Sequence, residues 1–162
     1  MSFSFSNIAD SFRVFFDNPI ILSVLSSWVF SQLLKAIIAL LQIRKKSFRE
    51  VLATLFWRTG GMPSSHAAVV AAMTTAVAIH EGVGSNLFAV SLFVAMVVMR
   101  DAVGVRRASG LQALAINLLG RQLAEKLGIE FHAVTETRGH SPLEVVVGAL
   151  LGIFITAAYA WL

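Results

Sequence analysis

Four stretches of the chain, residues 18–34, 59–80, 82–99 and 145–162, contain no Asp, Glu, Lys or Arg. A bilayer core about 30 Å thick takes roughly 20 mainly apolar residues to cross as a helix, so each stretch predicts a span. The first runs from Pro19 to Leu41, opened by Asn18-Pro19 and closed by Arg44, Lys45 and Lys46. The second covers Pro63 to Ile79 and stops before Glu81-Gly82. The third, Asn86 to Met99, is short and is expected to run past Arg100 or to lie buried in protein. The fourth is Pro142 to Leu162. Residues 100–141 form the longest polar stretch, and within it 109–127 reads as an amphipathic helix. Ser109 and Gln112 make a capping-box pair there, and Leu111, Leu114, Leu118 with Ile116, Leu119, Leu123 line one broad face. Such a helix is expected at the membrane surface or across the end of the bundle. The Phe-rich residues 1–18 are too polar for a signal-peptide core and read as an interfacial segment.

Composition agrees with that pattern. The 162 residues are 57% apolar and 14% charged, where a soluble domain carries about 25% charge. This excludes disorder and argues against a soluble enzyme. The fold class is therefore all-α: an integral membrane bundle of about four transmembrane helices plus one amphipathic helix. The absence of cysteine removes disulfides, thiolate metal sites and a cysteine nucleophile.

Charge adds a direction. The loop between the first two spans carries Arg44, Lys45, Lys46, Arg49 and Arg58, and residues 100–141 carry Arg100, Arg106, Arg107, Arg121, Lys126 and Arg138. With four spans these segments share a side, and together they hold 11 of the 13 basic residues. The positive-inside rule assigns that side to the cytoplasm and both termini to the opposite face. The net charge of +4 then reports topology and contact with anionic lipid, and nucleic-acid binding is a poor reading.

Three polar clusters fall on that same side. Gly60-Gly61-Met62-Pro63-Ser64-Ser65-His66 opens the second span. Pro63 is expected to start the helix and Ser64 or Ser65 to cap it, so the free amides of its first turn suit an anion. The plain alternative is an ordinary Pro/Ser helix start with an incidental His66. At the fourth span stands Arg138-Gly139-His140-Ser141-Pro142-Leu143-Glu144. Glu144 reads either as the capping-box partner of Ser141 or as the carboxylate that orients the His140 imidazole four residues before it. Leaving the third span, Asp101 precedes Arg106 and Arg107. Paired arginines usually anchor a helix in the headgroups, yet guanidinium forks also hold phosphate, and Asp101 could pin one of them. Lys35 lies inside the first span, either snorkelling to the surface or neutralising a bound anion.

Jointly these residues make an inventory for metal-free phosphoryl transfer through a phosphohistidine. His140 would attack phosphorus, and His66 would protonate the leaving oxygen and then activate water. Arg106, Arg107 and Lys35 would hold the phosphoryl oxygens, with helix-end amides at Ser65 and His66 as further donors. Such a site needs no metal and no cofactor.

The segments TGGMPSSHAA (59–68), DAVGVRRASG (101–110) with Gln112 and Asn117, and GHSPLEVVVG (139–148), with QLLK (32–35), resemble the divergent membrane branch of the type-2 phosphatidic acid phosphatase superfamily. That superfamily also includes the vanadium-dependent haloperoxidases. The resemblance implies that residues 19–162 are a membrane-embedded phosphatase-like domain acting on a lipid phosphate. By matching motifs, His66 stands at the general-acid histidine, His140 at the nucleophile and Glu144 at its carboxylate partner. Several positions depart from the superfamily pattern. No Arg-Pro pair accompanies Lys35, Ser65 precedes His66 where glycine is usual, and Val134 occupies the place of an arginine. Glu144 replaces the usual aspartate. Phosphate binding is then expected to fall to Arg106 and Arg107.

A cytoplasmic site favours an inner-leaflet phosphomonoester such as phosphatidylglycerophosphate or phosphatidic acid. A polyprenyl pyrophosphate phosphatase, or a non-enzymatic scaffold or transporter on the same fold, stays open. So does oligomeric state, a homo-oligomer included.

Overall fold

The computed structural model describes residues 13–42, 61–136 and 139–161. Five long helices follow in order: α1 (Pro19–Gln42), α2 (Ser65–His80), α3 (Asn86–Val103), α4 (Val105–Leu127) and α5 (Pro142–Trp161). Among the described residues there is no strand. Three segments, within Pro19–Ile38, Asn86–Leu127 and Pro142–Trp161, are long and apolar enough to cross a membrane, and α2 is a shorter apolar helix. At about 1.5 Å per residue its 16 residues reach less far than the others, and α2 is the helix they surround: it packs against α1, α3 and α5.

The interior is built from small side chains. The largest fully buried ones are Thr156, Pro63, Ser23, Ser27, Ser31 and Ser64, while Phe30, Phe93, Val97 and Phe154 are exposed. A water-soluble core would show the reverse. In lipid, apolar bulk gains nothing by turning inward, and helices associate through close approach of small residues. The α2–α5 contact is such a ladder. A Cβ on Gly148 would stand 2.3 Å from the Ser64 carbonyl oxygen, and one on Gly152 would stand 2.2 Å from that of Ala68. One turn on, the Thr156 hydroxyl donates to the Ala72 carbonyl at 3.3 Å. Thr74 Oγ1 donates to the Ser91 carbonyl at 3.2 Å and ties α2 to α3.

Helix ends explain the boundaries. Asn18 Oδ1 accepts from the amides of Ile20 and Ile21 and starts α1. Ser64 caps α2, so Pro63 sits one place before the cap and does not begin the helix as expected. The third span does extend beyond Arg100, to Val103. The amphipathic helix begins at Val105 and not at Ser109: Gly104 interrupts the helix and α4 resumes at once with no side-chain cap. The Ser109–Gln112 pair therefore lies inside α4. Residues 1–12 of the expected interfacial segment, and Arg44, Lys45, Lys46, Arg49, Arg58 and Gly60 of the first basic loop, lie outside the described residues, as does Arg138.

Helices α1 and α3 run one way and α2 and α5 the other, so the ends of α1 and α3 meet the starts of α2 and α5. At the far end Ser26 and Tyr159 share a hydrogen bond of 2.8 Å.

Candidate active site

At the near end two helix N-termini are bonded to one another. The Ser64 amide donates to the Glu144 carbonyl at 3.0 Å, which joins the cap of α2 to the first turn of α5. Ser64 is fully buried, and its hydroxyl accepts from the Ala67 amide at 3.4 Å. This leaves the Ser65 and His66 amides at the open first turn. Gly61 has φ +92°, left-handed backbone that favours glycine, and a Cβ there would come within 4.0 Å of Lys35 Cε.

Glu144 does both things expected of it, with one oxygen. Its Oε2 accepts from the Ser141 amide at 3.2 Å while the Glu144 amide donates to Ser141 Oγ at 3.4 Å. The same Oε2 lies 2.9 Å from His140 Nδ1. The cap thus holds the carboxylate, and the carboxylate holds the imidazole. His140 is 4% exposed, and its own amide donates to the Ala102 carbonyl at the end of α3. A methyl on Gly139 would sit 2.3 Å from the backbone nitrogen of Arg107, so a glycine is required where this loop crosses the start of α4.

The second histidine faces the first. The rings of His66 and His140 are 6.4 Å apart between centroids, inclined at 60°. His66 is exposed, and Arg106, His140, Lys35 and Asp101 are its electrostatic neighbours. Asp101 accepts from Arg106 Nε at 2.8 Å, which fixes the guanidinium by one edge and leaves its two terminal nitrogens for other partners. Lys35 is 6% exposed, well inside α1, and the charge of Glu144 acts on it. Lys35, His66, Asp101, Arg106, His140 and Glu144 are therefore gathered at one end. For Arg107 the structure brings the backbone, against Gly139, to this end. Among the described residues no three His, Asp or Glu side chains are grouped to hold a metal ion.

One residue that belongs to the second motif has a structural role its sequence position does not show. Asn117, 3% exposed on α4, exchanges two 2.8 Å hydrogen bonds with the Val134 backbone and donates a third to Glu136 Oε1. It clasps the chain that leads from α4 back to His140. The available signal was an asparagine in line with Gly110, Ala113, Gly120 and Ala124 on a helix otherwise rich in leucine.

Comparison with known proteins agrees with this architecture. Residues 16–155 match the divergent PAP2 family. An uncharacterized membrane protein of Bacillus subtilis (strain 168), YuiD, is 40% identical over 152 residues, covering 87% of this chain and 93% of that protein. No solved structure matches.

Proposed function

The chain belongs to the divergent PAP2 family and is a phosphatase-related integral membrane protein, and we propose that it hydrolyses a lipid phosphomonoester through a phosphohistidine, without a metal. The observation that carries the reading is the Glu144–His140 pair at 2.9 Å. A carboxylate on Nδ1 selects the tautomer in which Nδ1 bears the proton, so the Nε2 lone pair is the nucleophile.

Nε2 attacks phosphorus and the ester P–O bond breaks. His66, protonated, gives its proton to the departing alkoxide. The now neutral His66 takes a proton from water, whose oxygen attacks the phosphohistidine and breaks the P–N bond. Inorganic phosphate leaves with both histidines restored. The spacing of the two rings is compatible with a phosphoryl group between them. Arg106, Lys35 and the Ser65 and His66 amides supply positive charge to its oxygens, the largest contribution expected in a reaction with so little covalent work for the protein. Arg107 is proposed as a further phosphate ligand through its side chain.

The clustered basic residues support a cytoplasmic site with both termini on the other face. An inner-leaflet substrate of the phosphatidylglycerophosphate or phosphatidic acid type follows from that orientation.

The test is a panel of lipid mono- and diphosphates assayed in EDTA with purified wild type, His140→Ala and His66→Ala. Phosphate release from a monoester should survive chelation and fall to background in both variants. No release from any lipid by wild type would overturn the enzymatic reading, and full activity in either variant would overturn the assigned roles.

A further inference from the structure

Helix α4 is shielded along one stripe only. Gly110, Ala113, Asn117, Gly120 and Ala124 are buried or half-buried, and every other residue from Val105 to Leu127 is exposed. These five recur at helical spacing on a single face, and residues 129–136 cover it. Phe131 lies so close over Gly120 that a Cβ there would be 2.2 Å from its ring, and Asn117 grips Val134. The returning chain therefore covers the small-residue face and leaves the leucines bare. Leu111, Leu114 and Leu118 on one flank, and Ile116, Leu119 and Leu123 on the other, are each at least half exposed. Among the described helices α4 packs only against α3, the one it continues.

We infer that α4 lies along the surface of an anionic leaflet, its leucine-rich side in the acyl boundary and residues 129–136 on the water side. Three observations support that occupant over a protein partner. The bare apolar positions take up both flanks of the helix, which matches immersion in lipid, whereas a helical partner covers a narrow seam. Charge on the helix is one-sided in sign, with Arg106, Arg107, Arg121 and Lys126 against Glu125 alone, as attraction to anionic headgroups requires. Finally, α4 resumes one residue after a membrane span, at Gly104, so its start is held at the depth where that span ends. Large exposed apolar patches mark contact surfaces, and this one is already tethered at a bilayer.

The inference is independent of the phosphatase reading and is tested without substrate. The chain has no cysteine, so nitroxides can be placed singly at Leu111→Cys, Leu118→Cys, Leu119→Cys and Leu123→Cys, and at Glu130→Cys and Thr135→Cys on the covering chain. Each full-length variant is reconstituted in phosphatidylcholine vesicles with or without phosphatidylglycerol. Accessibility to oxygen and to a water-soluble nickel chelate is then compared. In the anionic vesicles the four helix labels should show a severalfold higher oxygen-to-nickel ratio than the two loop labels. The contrast should shrink without phosphatidylglycerol, and again when Arg121→Gln and Lys126→Gln are combined. Equal nickel access on both faces in anionic vesicles would overturn the inference. Dipolar broadening between labels of two copies at Leu119→Cys or Leu123→Cys, with low access to either reagent, would overturn it in favour of a second chain.

Discussion

Helices α2 and α4 are both rich in alanine-sized residues at helical spacing, yet protein surrounds one and barely touches the other. Eight of the 16 residues of α2 are buried, against two of the 23 in α4. On α2 the small positions face three neighbouring helices, and Ala68 and Ala72 receive Gly152 and Thr156. On α4 the equivalent stripe receives the irregular chain of residues 129–136. Small residues therefore mark where backbones approach on both helices, while the large apolar residues do different work. On the bundle helices they meet acyl chains, and on α4 they are proposed to rest on a headgroup surface.

That contrast can be broken most severely at Gly152. A Gly152→Leu side chain meets the Ala68 backbone, which has no flexible end to yield. Overpacking typically costs about 1–3 kcal/mol and occasionally more, and the upper part of that range is expected. A large drop in thermal midpoint in detergent would show it, and an unchanged midpoint would deny that the ladder is close-packed. Glu144→Gln separates cap from catalysis within α5. The amide oxygen can still accept from Ser141, so the midpoint should hold, while turnover falls by about 10²–10⁴ as the imidazole loses its charged partner. Glu144→Ala should lower both. Equal activity in wild type and Glu144→Gln would remove the carboxylate from the mechanism.

Asn117→Ala acts on the arm formed by residues 129–136 alone. It removes the side-chain partner of the exposed Val134 backbone and should cost about 0.5–1.5 kcal/mol for each bond lost, felt locally. Hydrogen exchange is then expected to accelerate at residues 131–136 with α2 amides still protected. Loss of protection in α2 as well would make arm and bundle one cooperative unit. The smallest effect belongs to Leu118→Gln, an exposed position whose change should stay within about 0.5 kcal/mol of wild-type stability. A midpoint shift as large as that of Gly152→Leu would mean that Leu118 packs against protein.

Much of the site was legible because its residues sit at helix ends, where local rules are strong. Ser141 and Glu144 satisfy a capping box in sequence, and the structure keeps that box while lending its carboxylate to His140. A matching pattern misled at Ser109 and Gln112. There the chain is already helical from Val105, since Gly104 supplies the break and nothing in Val105–Ala108 opposes a helix. The start of α2 falls two positions after Pro63, at Ser65: either serine could cap, and Ser64, whose amide is bonded to the Glu144 carbonyl, is the cap.

By itself the sequence determined that this is a helical membrane protein, since spans are written as charge-free length and the bilayer reads length directly. It also determined which residue types stand at each helix end. Which face of each helix turns inward was decided only by tertiary structure. In water the large apolar residues would have named that face; in lipid they have no preference for the interior, and the glycines, alanines and serines that allow backbones to touch take it instead. The convergence of Lys35, Arg106 and both histidines depends on that packing, because no local rule relates residues on three different helices and the loop before a fourth.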